Sequence, residues 1–351
     1  MKCLRKIAFL IAVFTSMSLC AQEDLLENPK FKEFTGALTD LLQSNQQLSL
    51  AETRKLCTKF FLPPETVFES VEQIQNLEIL GSDQNKIPLR VFIPNDSKNL
   101  PVIIYFHRGG WVFGNIEEAD PVCRKLANHW GCIVVSVEYR LAPEYPFPKP
   151  FEDCYAAAKW AAENISQFGG DSENLIVCGE SAGGNLAAAV ALMARDKQGS
   201  KLSAQLLIYP VINSTLQDEE YSTSADQYFL TKDSMKFFWS MYLPSGEKNP
   251  YASLDCGSDF SKLPPAIIIT AQHDPLRHEA EKYAEKLQQA GVPVVTKCFP
   301  EVIHGFLDLP IYEESEKISW IKEIGQLSNH FRGFDFQTID DKTDSSLFID
   351  R

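Results

Sequence analysis

The spacing of apolar residues changes several times along the chain, and each spacing predicts a different element. Across residues 24–75 they recur at helical intervals (Phe31, Phe34, Leu38, Leu41, Leu42) until "LPPE" at 62–65 breaks the run. That pattern predicts a small helical segment, too short to form a domain alone. From Val71, "VEQIQNLEIL" passes through the turn-rich "GSDQNK" into "IPLRVFIP", an expected antiparallel hairpin. Apolar runs then alternate with helical stretches: "VIIYFH" (102–107), a helix near 118–130 closed by Gly131, "CIVVSVEY" (132–139), a helix near 150–165, "NLIVCGE" (174–180), a helix from Ala182, and "AQLLIYPV" (204–211). Runs of this kind, each followed by a helix, predict a mostly parallel central sheet with helices on both faces, an α/β domain spanning 71–332.

Residues 213–262 interrupt the alternation with "DQYFLTKDSMKFFWSMYLP", and the strand pattern resumes at "AIIITAQ" (266–272) and "VPVVTKCF" (292–299). The interruption is a candidate lid. Phe237, Phe238, Trp239, Met241 and Tyr242 fall in one predicted helix and cannot all face one way, so most are expected in the lid's own core. The final segment, 333–351, is acidic and polar and is expected to be loosely held.

The first residues follow another pattern. Lys2, Arg5 and Lys6 precede an apolar run from Ile7 to Phe14 and then small residues up to Cys20 and Ala21, the order of a secretory signal at 1–21. The apolar run is too short to span a bilayer. Leu19 fits poorly a lipid-attachment site at Cys20, so cleavage near Cys20/Ala21 and a soluble secreted or periplasmic product are expected. Loss of that segment removes three positive charges and no acids, moving the net charge from −14 to −17. So acidic a chain suggests no nucleic-acid or anionic-membrane partner. Cys57, Cys123, Cys132, Cys154, Cys178, Cys256 and Cys298 remain, an odd number without CxxC spacing, which argues against a metal cluster and leaves at most some disulfides.

The candidate chemistry centres on "CGESAGGNLAAAV". Gly179, Glu180, Ser181, Ala182 and Gly183 fit GxSxG between an apolar strand and an Ala-rich run, the context of a nucleophile elbow. A serine hydroxyl needs a base, itself oriented by an acid, and on such an elbow the chain order is Ser, Asp or Glu, His. His107 and His129 precede Ser181, His273 and His278 flank a strand end and a helix, and His330 falls in a terminal helix. His304, in "FPEVIHGF", follows a strand and precedes Gly305, which makes it the candidate base. Asp274 in "IIITAQHDPLRHEA" is the candidate acid, although an Asp before Pro is also a good helix cap. His273 and His278 are five apart and do not share a helix face as paired metal ligands would. "HRGGW" (107–111) follows a strand where a second group of oxyanion donors is expected.

With these motifs in place the chain resembles the hormone-sensitive-lipase-like family of α/β-hydrolase carboxylesterases. The likeness runs from about Val71 to Phe306 and includes "YRLAPEYPFPKPFEDC" (139–154), "GESAGGNLAAA", "DPLRHEAEKYAEKLQQAGVPV" and "HGF". It implies an α/β-hydrolase fold with Ser181, Asp274 and His304 as triad and Gly109, Gly110 and Ala182 as oxyanion donors. A helical cap would come from residues 22–70 and the 213–262 insertion. The implied activity is hydrolysis of short- to medium-chain acyl esters through an acyl-enzyme, without cofactor or metal. A deacetylase or amidase on the same triad, or a ligand receptor on the same scaffold, are the alternatives; the partner is a small acyl ester, with homo-oligomerisation left open. Arg108 stands where the family has a glycine, and its side chain is expected to turn from the oxyanion toward solvent or an acidic neighbour.

Overall fold

A computed structural model describes residues 28–45, 47–216 and 230–328, and the backbone of 348–349. The predicted signal segment, residues 217–229 of the predicted cap insertion, His330 and the rest of the 333–351 tail lie outside the described residues.

Among the described residues two helices come first, α1 (Pro29–Ser44) and α2 (Leu50–Phe61). Ser49 and Glu52 satisfy each other's backbone N–H groups and fix where α2 starts. Next are a short strand β1 (Phe68–Glu69) and the predicted hairpin β2 (Gln73–Leu80) and β3 (Lys86–Ile93). The alternating part comprises β4 (Leu100–Phe106), α3 (Ile116–Trp130), β5 (Ile133–Val137), α4 (Lys149–Asn164), β6 (Gly170–Glu180), α5 (Ala182–Asp196) and β7 (Ala204–Ile208). After the cap helix α6 (Lys232–Tyr242) come β8 (Ala266–His273), α7 (Arg277–Gln289), β9 (Val294–Ile303) and α8 (Glu314–Leu327). Of the predicted tail, β10 (Phe348–Ile349) pairs antiparallel with β1.

Eight strands form one sheet in the order β2-β3-β5-β4-β6-β7-β8-β9. The β2/β3 and β3/β5 pairs are antiparallel, and every later pair is parallel. In β4 the run Val102–Phe106 is buried throughout because helices cover both faces. Alanines of α4 and α5 pack on one face, while Leu126 and Trp130 of α3 meet Ile321 and Ile324 of α8 on the other. Gly131 ends α3 in the left-handed conformation, as its position predicts.

Two strand ends depart from the sequence pattern. β7 stops at Ile208, not 211, because Tyr209 turns to φ 34. β9 continues past Phe299 to Ile303 through an irregularity: Ala271 pairs with Phe299, yet His273 pairs with Ile303. Pro300 can donate no ladder bond and Glu301 sits at φ 55, so the strand bulges there and then rejoins.

Candidate active site

Ser181 joins β6 to α5 at φ 55 and ψ −117, a conformation that costs a non-glycine residue about 1–3 kcal/mol. The surroundings hold it there. Its N–H donates to the Ile208 carbonyl at 2.9 Å, and its own carbonyl accepts from Asn185 and Val211, each at 3.1 Å. A Cβ on Gly183 would run into the carbonyls of Phe106 and His107, and one on Gly179 into the backbone of Gly183. The flanking glycines therefore let α5 lie directly against the ends of β4 and β6.

Asp274 and His304 follow the paired residues His273 and Ile303, so the bulge in β9 sets them side by side at the carboxyl end of the sheet. His304 Nδ1 is 2.7 Å from Asp274 Oδ2, and His304 Nε2 is 2.8 Å from Ser181 Oγ. All three residues are buried. An ionised carboxylate only accepts, so the proton belongs on Nδ1, and the bare Nε2 faces the serine hydroxyl. The other oxygen of Asp274 accepts from the Leu276 N–H at 2.9 Å. One carboxylate therefore both closes the turn before α7, whose N-cap is Leu276, and faces the histidine. The Tyr209 ring meets the imidazole edge-on, with centroids 4.9 Å apart. Beneath the elbow, Glu180 accepts from the hydroxyls of Tyr105 and Tyr209. Burial, with the nearby Asp308 charge, pushes its carboxyl up to about 7.

Ser181, Gly109, Gly110 and His304 form the floor of a cleft of about 870 Å³, measured out to its open mouth. Gly109 and Gly110 have φ 120 and 61, values open to glycine. Ala182 is the first residue of α5, so its N–H has no acceptor within the helix. The roof combines Leu38 of α1, Cys57 and Phe61 of α2, and Ser234 and Phe238 of α6. Phe238 lies directly over Gly110. Its neighbours Phe237, Trp239, Met241 and Tyr242 are buried in packing, and Tyr242 stacks on Trp111 at 4.2 Å. Burial pushes the Cys57 thiol up to about 12, which leaves it un-ionised.

Arg108 reaches an acidic neighbour, one of its two expected directions, and is largely shielded from solvent along the cleft wall. Its Nε donates to Asp308, and its guanidinium lies 4.6 Å above the Phe61 ring. Burial works against the charge, but the adjacent Asp308 and Glu118 carboxylates outweigh it and hold the group above its ordinary pKa. The remaining described histidines have other partners: His107 stacks on Tyr139, His129 meets Glu69, His273 lies 3.5 Å from Glu301, and His278 meets Glu281. Burial lowers His107 to about 4, so it is neutral.

The sequence reading missed the cap-to-floor contacts. Arg54 of α2 donates to the carbonyls of Val112 and Ala142 at 2.7 and 2.8 Å and pairs with Glu144. Glu118 accepts from Thr58 at 2.7 Å. Asp308 could have been found as an acid close after His304 opposite an unexplained arginine. Arg54 carries no such signal, since an arginine on a helix is ordinarily solvated. All seven described cysteines are free.

A family profile described as alpha/beta hydrolase fold matches residues 103–308. A carboxylesterase of Mycobacterium tuberculosis is 38% identical over 271 residues, covering 76% of this chain and 83% of the relative. An arylesterase of Saccharolobus solfataricus is 38% identical over 245 residues, 69% of this chain and 79% of its own length. Among solved structures, a hyperthermophilic esterase from Pyrobaculum calidifontis is 40% identical with a TM-score of 0.73, covering 81% of this chain and 95% of that one. An ester hydrolase from the metagenome of Lake Arreo, complexed with a bipyridine phosphonate derivative, has a TM-score of 0.78 at 34% identity, covering 85% of this chain and 97% of its own.

Proposed function

Because the chain belongs to the hormone-sensitive-lipase-like family of α/β-hydrolase carboxylesterases, we propose that it is an exported serine carboxylesterase acting on short- to medium-chain acyl esters. One observation carries the reading: Ser181 Oγ, His304 and Asp274 form an unbroken hydrogen-bonded series on the floor of an apolar cleft.

In this reading Ser181 attacks the acyl carbonyl as His304 Nε2 takes its proton. Negative charge then develops on the carbonyl oxygen, where the N–H groups of Gly109, Gly110 and Ala182 receive it. His304 returns the proton to the departing alkoxide and leaves the acyl group on Ser181; water reverses the sequence. Asp274 keeps the imidazole in the productive tautomer and stabilises its charged form. Nucleophile, base and oxyanion donors all come from this chain, so the reaction calls on no cofactor.

Leu38, Phe61, Phe113, Phe238 and Leu309 make the cleft wall apolar, which supports an acyl rather than a sugar or phosphate occupant. Phe238 above Gly110 limits acyl depth and supports shorter chains. The charge, apolar and small-residue order of 1–21 supports export.

The test is a panel of p-nitrophenyl esters of increasing acyl length with parent and Ser181→Ala, intact-mass detection of the acylated parent, and N-terminal sequencing of the exported product. We expect turnover, falling by several orders of magnitude in the variant, an acyl adduct on Ser181, and a mature start near Ala21. A folded Ser181→Ala protein with most of the parent's turnover would refute the assignment.

A further inference from the structure

The arginine in the oxyanion loop has no counterpart in the glycine run that the family uses, and its surroundings give it a role. Arg108 immediately precedes Gly109, while Asp308 lies four residues after His304. Their ion pair therefore ties two loops 200 residues apart in sequence, one bearing the proposed oxyanion donors and the other the proposed base. Both side chains are shielded, at 16% and 14% exposure, so water weakens the attraction little.

The tie is also exclusive on the Asp308 side. Asp308 Oδ1 is buried and has no hydrogen-bond partner among the described residues, so its carboxylate depends on Arg108. On the other side the guanidinium lies over the ring of Phe61 of α2, and its charge is felt by Glu118, itself fixed by Thr58. The backbone of the Asp308 turn closes on the histidine loop, with the Asp308 and Leu309 N–H groups both 3.2 Å from the Gly305 carbonyl. A shift of Asp308 thus pulls on the residue beside His304.

We propose that Arg108 and Asp308 are a positioning pair that fixes the oxyanion loop relative to the His304 loop, so that turnover rather than substrate binding depends on it. The inference rests on the hydrolase reading above. Breaking a buried pair from one side leaves a charge without compensation, and the loops must move to relieve it. Small displacements at such a site cost rate, because donors must meet the oxyanion and not the ground-state carbonyl.

The experiment measures kcat, KM and melting temperature on p-nitrophenyl acetate for Arg108→Lys, Arg108→Met, Asp308→Asn and the double variant Arg108→Met/Asp308→Asn. For Arg108→Met we expect kcat to fall by about 10- to 100-fold, below the full loss of an oxyanion donor, with KM within threefold. Arg108→Lys should recover most of that loss, and the double variant should be no slower than Arg108→Met alone, because the two act as one unit. Asp308→Asn keeps shape and an acceptor, so if Arg108→Met does not fold the same kcat-against-KM comparison is read on it. A raised KM with parental kcat overturns the proposal and makes Arg108 a binding group. A lowered melting temperature with kcat within threefold overturns it as purely structural. Multiplicative losses in the double variant overturn the pairing. A parent inert on every ester removes the hydrolase reading and the pair's role with it, whereas an active parent with indifferent variants removes the pair's role alone.

Discussion

Replacing Asp274 by Asn changes one atom's hydrogen-bonding sense and, with it, the state of the whole site. In the native site Oδ1 accepts from the Leu276 N–H at 2.9 Å and Oδ2 faces His304 Nδ1 at 2.7 Å. Asn has one acceptor and one donor for these two places. If its oxygen serves Leu276, its NH2 faces Nδ1, which must then be bare, and the imidazole proton moves to Nε2, where it blocks acceptance from Ser181. Restoring the productive tautomer requires the amide to turn over, which leaves the Leu276 N–H and one amide N–H facing each other without acceptors. Each buried unsatisfied group costs about 1–3 kcal/mol, so the productive arrangement lies about 2–6 kcal/mol higher. At a factor of ten per ~1.4 kcal/mol, kcat should fall between about 30-fold and about 20,000-fold. KM should barely change because Asp274 is buried behind the histidine. Steady-state kinetics on a neutral short ester, with a melting curve to confirm the fold, decide it. A folded Asp274→Asn protein within tenfold of the parent would refute the tautomer argument.

Three further outcomes follow from single contacts. Gly183→Ala drives a Cβ into backbone carbonyls that cannot swing away, so a loss of about 1–3 kcal/mol is expected; an apparent Tm within one degree of the parent would contradict it. Phe238→Ala frees depth above Gly110, and two more buried methylenes at about 0.8 kcal/mol each should raise the octanoate-to-acetate ratio of kcat/KM about tenfold; an unchanged ratio would remove Phe238 from the pocket wall. Glu138 is pushed up to about 7 by burial, reinforced by Glu117 and Glu118 and opposed by the Ile116 N–H. A raised carboxyl stabilises the fold below its ordinary value of 4.5, and that stabilisation is lost as pH climbs through about 7. Glu138→Gln keeps an acceptor for Ile116, so its Tm relative to the parent should be higher at pH 8 than at pH 5, by at most about 3 kcal/mol of stability. Equal differences at both pH values would refute it.

The order of strands and helices was legible because each parallel strand is apolar on both faces, and so were Ser181, Asp274 and His304, because each stands next to a strand end. What escaped the sequence depended on meetings between distant segments. Nothing local says that β9 bulges at Pro300 and Glu301 and so carries His304 over to Asp274. Nor does helical spacing say which of the aromatic residues in α6 faces the cleft, since that depends on Trp111 and Phe147 packing against Tyr242. Arg108 was legible as an oddity and Asp308 as an acid close after His304, but nothing local joins the two across 200 residues.

The apolar side of α1 has a history in time as well as a place in space. Phe31, Phe34 and Leu38 pack against Ile303, Leu309 and Ile311, and Ile303 follows Leu38 by 265 residues. At synthesis rates of about 5–20 residues per second, the helix waits roughly 15 to 50 s for the residues that cover it. Throughout that interval its greasy stripe is open to chaperones, proteases and other nascent chains. The wait begins to end as Ile303 arrives and is over only with Leu309 and Ile311, and His304 is made between them. The chain therefore gains the last member of its hydrogen-bonded series within the same few residues that supply the means to close its roof.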